Sequence, residues 1–190
     1  MATSAQQAFE SLLTDLAAQT PAPGGGCASA WAGALAAALG EMVAGFAGDP
    51  QAAARATALR GELLAAGERE LSSYAPVLDA ARLPKNDLSR KQRLDAALSE
   101  ASETPLAIAR ASTEVAELAA GMAARSTSAV AGDAIAAAVL AEASNRVAAR
   151  LVQINLATHA DDPRLAEVRD LTLRATAARD AVLAGRSRRG

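Results

Sequence analysis

The sequence predicts an all-α protein, a single domain of about seven close-packed helices over residues 1–190, from three observations. Ala dominates a 51% hydrophobic fraction, aromatic residues make up only 2%, and apolar residues recur at helical spacing between short Pro- and Gly-bearing breaks. Ala loses least on entering a helix, so this composition disfavours strands. It also buries little apolar area per residue, so close helix packing or oligomerisation has to compensate. A chain of 190 residues lies below the size at which single cores divide into separate domains.

The first helix is expected over about Ser4 to Gln19, with Phe9, Leu12, Leu13 and Leu16 on one face. Thr20-Pro21-Ala22-Pro23-Gly24-Gly25-Gly26 breaks it. The next helix, Cys27–Ala47, carries a stripe of small residues, Gly33, Ala37, Gly40 and Ala44, that lets another backbone approach closely. This run is long enough to cross a bilayer, but its apolar character is mostly Ala and Gly, and Glu41 interrupts it. A buried helix with no membrane partner is the expected reading. Asp49-Pro50 reads as an N-cap followed by proline at the first helical position, opening a helix toward Ala81 that Pro76 kinks or ends early.

Leu83-Pro84-Lys85-Asn86 is a connector, after which Asp87 or Ser89 caps a helix to about Glu103. Thr104-Pro105 repeats the cap-plus-proline signal. Between Gly121 and Gly132 the apolar period lapses and Ser126, Thr127 and Ser128 appear, which predicts a loop. Asp133 then opens a helix whose apolar face continues to Leu156, and Asp162-Pro163 opens the last, ending near Gly185.

A formal net charge of −2, with 19 basic and 21 acidic residues, supplies no field that would gather nucleic acid. The basic cluster Arg186, Arg188 and Arg189 reads as a solvated tail. One cysteine, Cys27, and one histidine, His159, rule out a disulfide framework and a His or Cys metal cluster. No secretory leader pattern opens the sequence, so a cytoplasmic location is expected.

Residues able to carry chemistry are few. Pro23, Gly24, Gly25 and Gly26 run directly into a helix, where free backbone N–H groups and the helix dipole favour an anion; a permissive turn is the alternative. Cys27 sits at the same helix start, where the dipole can lower a thiol pKa, though a small packing residue is the simpler reading. Glu68 and Glu70 flank Arg69, and Glu70 shares a helix face with Tyr74. A carboxylate there can move protons or simply face solvent. Asp133 can be a helix cap or a site carboxylate.

Thr20-Pro21-Ala22-Pro23-Gly24-Gly25-Gly26-Cys27, with Met42-Val43 downstream, resembles the opening signature of the cyclodeaminase domain of formiminotransferase-cyclodeaminases and of the related methenyltetrahydrofolate cyclohydrolases. Tyr74 with Leu83-Pro84-Lys85-Asn86, then Asp133 with Ile154-Asn155-Leu156, follow in the same order as in that family. The resemblance implies a homodimeric, multihelical enzyme acting on the one-carbon unit at N5 or N10 of a tetrahydrofolate derivative, as cyclodeaminase or cyclohydrolase, with no metal and no cofactor beyond the tetrahydrofolate-borne substrate. A non-catalytic helical dimer keeping the same scaffold, as a folate-binding or interaction protein, stays open as the alternative. Carried over residue by residue, Glu70 stands where the family usually has a catalytic Asp, and Asp133 supplies a second polar group. Pro23 to Cys27, Tyr74 and Lys85 fall to substrate binding, Lys85 offering a cation to a folate carboxylate. Cys27 replaces the family's usual Ser, Ser126-Thr127 its Gly-Asn pair, Gly132 a Ser, and Ala47-Gly48-Asp49 a more polar segment.

Overall fold

The computed structural model describes residues 3–186 except 124, 126 and 127. Among these residues the secondary structure is entirely helical: α1 (Ser4–Ala17), α2 (Gly25–Phe46), α3 (Pro50–Ser73), α4 (Ala75–Arg82), α5 (Arg90–Glu100), α6 (Glu103–Ala123), a 3-10 turn (Ser128–Val130), α7 (Ala131–Asn155) and α8 (Pro163–Arg186). Ser126, Thr127, Arg188 and Arg189 lie outside the described residues.

The start signals act as the sequence suggests, with some shifts. Thr3 caps α1 by accepting from the Gln6 N–H at 3.2 Å. The Asp49 carboxylate accepts from the Ala52 N–H at 2.9 Å, with Pro50 in the first helical turn of α3. Pro76 cannot donate to the carbonyl four residues before it, so the long third helix ends at Ser73 and α4 starts afresh at Ala75, with Tyr74 as the hinge between them. This raises the count to eight α-helices among the described residues. Thr104 does not cap α6: the helix begins at Glu103, and the Leu106 N–H donates to the Ser102 carbonyl. Nor does Asp133 cap α7, which opens at Ala131 and holds Asp133 within its first turn without a side-chain cap. The helices on both sides reach further than expected, α6 to Ala123 and α7 back to Ala131, so the connection between them is shorter than the 121–132 stretch.

α6 is the central element and packs against α2, α3, α7 and α8, while α3, α2, α7 and α8 lie side by side in that order in front of it. Gly33 explains how α2 comes so near its neighbours: a Cβ there would meet the Ser112 and Ser144 hydroxyls at 2.9 Å and Leu63 at 3.1 Å. Ser144 donates to the Ser29 carbonyl at 2.6 Å and lies 2.7 Å from Ser112, so the polar groups beside this contact are satisfied. Asn145 donates to Thr113 at 2.8 Å, and Asn155 donates to the Ala101 carbonyl at 3.1 Å, pinning the end of α7. Large buried side chains such as Leu59, Leu63, Leu106, Ile108 and Leu156 fill what the alanines leave. At about 1.5–3 kcal/mol each, these few residues carry a disproportionate share of the apolar stabilisation.

α2 and α7 run antiparallel: Ser29 meets Ser144 at one end, while Val43 and Ala44 cluster with Val130 and Ala134 at the other. Over half (56%) of the apolar window that would suit α2 to a bilayer is buried inside this array. The face of α2 turned away from α6 is not covered. Leu35, Met42 and Phe46 stand exposed along it, flanked by Leu64 and Leu71 of α3 and by Val147 and Ile154 of α7.

Candidate active site at the start of α2

Gly24 occupies the cap position of α2 with extended backbone and no side-chain cap. The first intrahelical bond runs from the Ala28 N–H to the Gly24 carbonyl, so the N–H groups of Gly25, Gly26 and Cys27 have no partner within the helix. Pro23 precedes them after a cis peptide bond. Glycine at position 26 has a definite reason: the Glu70 side chain lies on it, and a Cβ would fall 2.0 Å from Glu70 Oε1 and 2.5 Å from its Cδ and Cγ. The same close packing recurs one turn earlier, where a Cβ on Gly67 would meet Trp31 Nε1 at 2.8 Å. Gly67, Glu70 and Tyr74 therefore mark the side of α3 that runs along α2 and past its start.

Burial pushes the Glu70 carboxyl above the ordinary glutamate range, and a hydrogen bond from the Ser73 hydroxyl to Oε2, 3.0 Å, partly offsets this. Glu70 is thus a desolvated carboxylate beside free backbone donors, a combination suited to proton transfer next to a bound anion. Cys27 is 1% exposed and its Sγ donates to the Gly67 carbonyl at 3.6 Å. Its thiol is pushed up above all by burial; the Gly24 backbone N–H lowers it in part and the nearby Glu70 charge adds to the rise, surroundings that suit a packing residue.

Ser73 also borders a cleft of about 540 Å³ between α3–α4 and α5–α6, whose walls include Arg69, Ser72, Thr104 and Arg110. Arg110 is engaged by Glu167 at 2.6 Å. Tyr74 stands half-exposed at the α3–α4 hinge, and Lys85 is exposed in the α4–α5 connector, with no ion pair among the described residues. Among the described residues no group of three His, Cys, Asp or Glu side chains gathers as a metal would require.

The structure brings Glu70 onto Gly26 and near Cys27, in the turn that Gly24 and Gly25 open, but keeps Asp133 apart. Because α7 runs antiparallel to α2, the first turn of α7 lies near the far end of α2, beside Val43 and Ala44 and about 26 Å along the helix from Gly26 at 1.5 Å per residue. Ser73 was not singled out from sequence, although a hydroxyl three residues after a helical carboxylate is one turn away and can reach it.

The profile of the formiminotransferase-cyclodeaminase family matches residues 8–172. The chain belongs to this family. It is 33% identical over 178 residues to the methenyltetrahydrofolate cyclohydrolase of Methylorubrum extorquens, covering 86% of this chain and 85% of that protein. Its fold is that of the formiminotetrahydrofolate cyclodeaminase of Thermotoga maritima, with a TM-score of 0.79 at 23% identity over 95% of this chain and 93% of that one.

Proposed function

We propose that this protein is a soluble, cytoplasmic enzyme that cleaves a C–N bond in a tetrahydrofolate one-carbon adduct, with Glu70 as the proton-transfer group. The observation that carries the reading is the Glu70 carboxylate lying on Gly26 at the start of α2, in a chain whose family match spans the whole site. An anionic part of the substrate binds the free N–H groups of Gly25, Gly26 and Cys27, and Lys85 and Tyr74 contact the remainder. In hydrolysis, water adds to the methenyl carbon and gives a proton to Glu70; Glu70 passes that proton to the departing nitrogen while the carbon-bound hydroxyl loses its own to solvent and becomes the formyl carbonyl. In deamination, N10 attacks the formimino carbon and gives its proton to Glu70, which passes it to the nitrogen that departs as ammonia. Both reactions pass through a carbon bonded to N5, N10 and a third heteroatom, which is why one carboxylate serves either.

We further propose a homodimer in which the exposed faces of α2 meet about a two-fold axis near Leu35. Such an axis sets the end of one α2 against the start of the other, and so carries the partner's Asp133 to the Glu70 end. Three helices, spaced by about 9 Å and about 33 Å long, offer roughly 800–900 Å² per protomer, the size of a standard stable interface.

Purified protein mixed with 5,10-methenyltetrahydrofolate and, separately, with the 5-formimino form tests the proposal through methenyl absorbance. Loss of methenyl signal in the first assay identifies a cyclohydrolase, and its rise in the second a cyclodeaminase. Detectable folate binding without acceleration of either reaction would favour the non-catalytic scaffold. Mixing Glu70→Gln chains with Asp133→Asn chains tests the shared site, because each mixed dimer regains one intact site and total activity recovers to about a quarter of the unmutated level.

A further inference from the structure

We propose that α1 is an exchanged arm that packs on a second copy of this chain, against the end of the partner's α2 around the partner's Phe46. The inference rests on the two-fold pairing above and adds the element that fastens it.

α1 has 14 residues and none of them is buried. Phe9 is 53% exposed and Leu13 48%, although both lie on the helix's apolar face with Leu12 and Leu16. An isolated helix of this length is marginal in water, so an apolar face of this kind needs a surface to cover it. Its own chain covers that face only in part: Leu12 and Leu16 are half-buried, but α1 makes no substantial packing with any other helix.

Two features select a second copy as the occupant. The arm leaves the body at Gly24, the start of α2, and in the proposed dimer the end of the partner's α2 lies opposite that point. Phe46 there is 71% exposed and Met42, one turn earlier, 39%. Residues 18–24 span at most about 24 Å, enough for α1 to fold across that end. The alternative of a lipid surface fits poorly, because α1 carries Glu10 and Asp15 and no Lys or Arg. Exchange also places the arm's root beside Gly24 to Gly26, so that pairing of the chains and ordering of the anion-binding turn become coupled.

The test uses full-length chains without substrate, so it is independent of turnover. Leu13→Cys chains and Phe46→Cys chains, distinguished by mass, are mixed and mildly oxidised; Cys27, being buried, does not compete. A disulfide-linked heterodimer is the expected product. A doubly substituted chain that closes only on itself, or a wild-type dimer in light scattering that yields no 13–46 link, would overturn the arm while leaving the α2 pairing intact. A monomer would overturn both, and co-sedimentation of that monomer with anionic vesicles would assign α1 to a lipid surface instead. The Phe9→Asp/Leu13→Asp double variant should weaken dimerisation at least tenfold while its circular dichroism stays helical. Unchanged dimerisation in that variant also overturns the arm.

Discussion

Replacing Gly26 by Ala separates the position of the Glu70 carboxylate from the stability of the fold. The added Cβ would sit 2.0 Å from Glu70 Oε1, and ordinary van der Waals contact begins near 3.4 Å, so the oxygen must retreat by about 1.4 Å. A displacement of about 1 Å at a reacting group can cost 100-fold, or about 2.7 kcal/mol of barrier. The clash falls on the free end of a flexible side chain, so its cost to stability belongs at the lower end of the roughly 1–3 kcal/mol typical of overpacking. Gly26→Ala should therefore lower kcat/KM by about 100-fold on the accepted folate while the Tm falls by only a few degrees. Glu70→Asp shortens the arm by one methylene and withdraws it from the new methyl group. Combined with Gly26→Ala it should lose less activity than the two separate losses multiplied. Turnover of Gly26→Ala at the wild-type rate would refute the contact between Glu70 and Gly26 as the source of catalytic geometry.

Three further outcomes follow from the same structure. The Glu70 carboxyl is raised in the folded state, so its contribution to stability is full below the ordinary glutamate range and is lost as pH rises through its folded value; melting temperatures should show Glu70→Gln gaining on wild type between pH 4 and pH 8. Ser73→Ala removes the hydrogen bond that holds the Glu70 pKa down, so the acid limb of the kcat/KM profile should move to higher pH with little change on the alkaline side. Gly33→Ala forces a methyl group against Ser112, Ser144 and Leu63, and chemical denaturation should register a loss of about 1–3 kcal/mol.

The sequence made the helices legible because its punctuation is local. Asp49-Pro50 and Asp162-Pro163 each start a helix through groups within a few residues of each other. The same logic misplaced the caps of α6 and α7: the Leu106 N–H donates to the Ser102 carbonyl, and α7 opens at Ala131 directly after the 3-10 turn, so neither Thr104 nor Asp133 caps its helix. Glu70 and the glycine turn were both readable, one from its relation to Tyr74 and the other from Pro23-Gly24-Gly25-Gly26. Their contact was not, because it joins residues on two helices through a close approach that only Gly26 permits. The separation of Glu70 from Asp133 was equally hidden: it follows from the antiparallel course of α2 and α7, fixed by Ser29–Ser144 and Gly33 across more than a hundred residues of chain.

The most direct measurement is steady-state turnover of Glu70→Gln beside the wild type, on both the methenyl and the formimino substrates and across the pH range. The exchange keeps the side chain's shape over Gly26 and removes its capacity to take a proton. At least a 100-fold fall in kcat with folate binding retained, and with the acid limb gone from the profile, is the predicted result. Wild-type turnover with an unchanged pH profile would contradict Glu70 as the proton-transfer group.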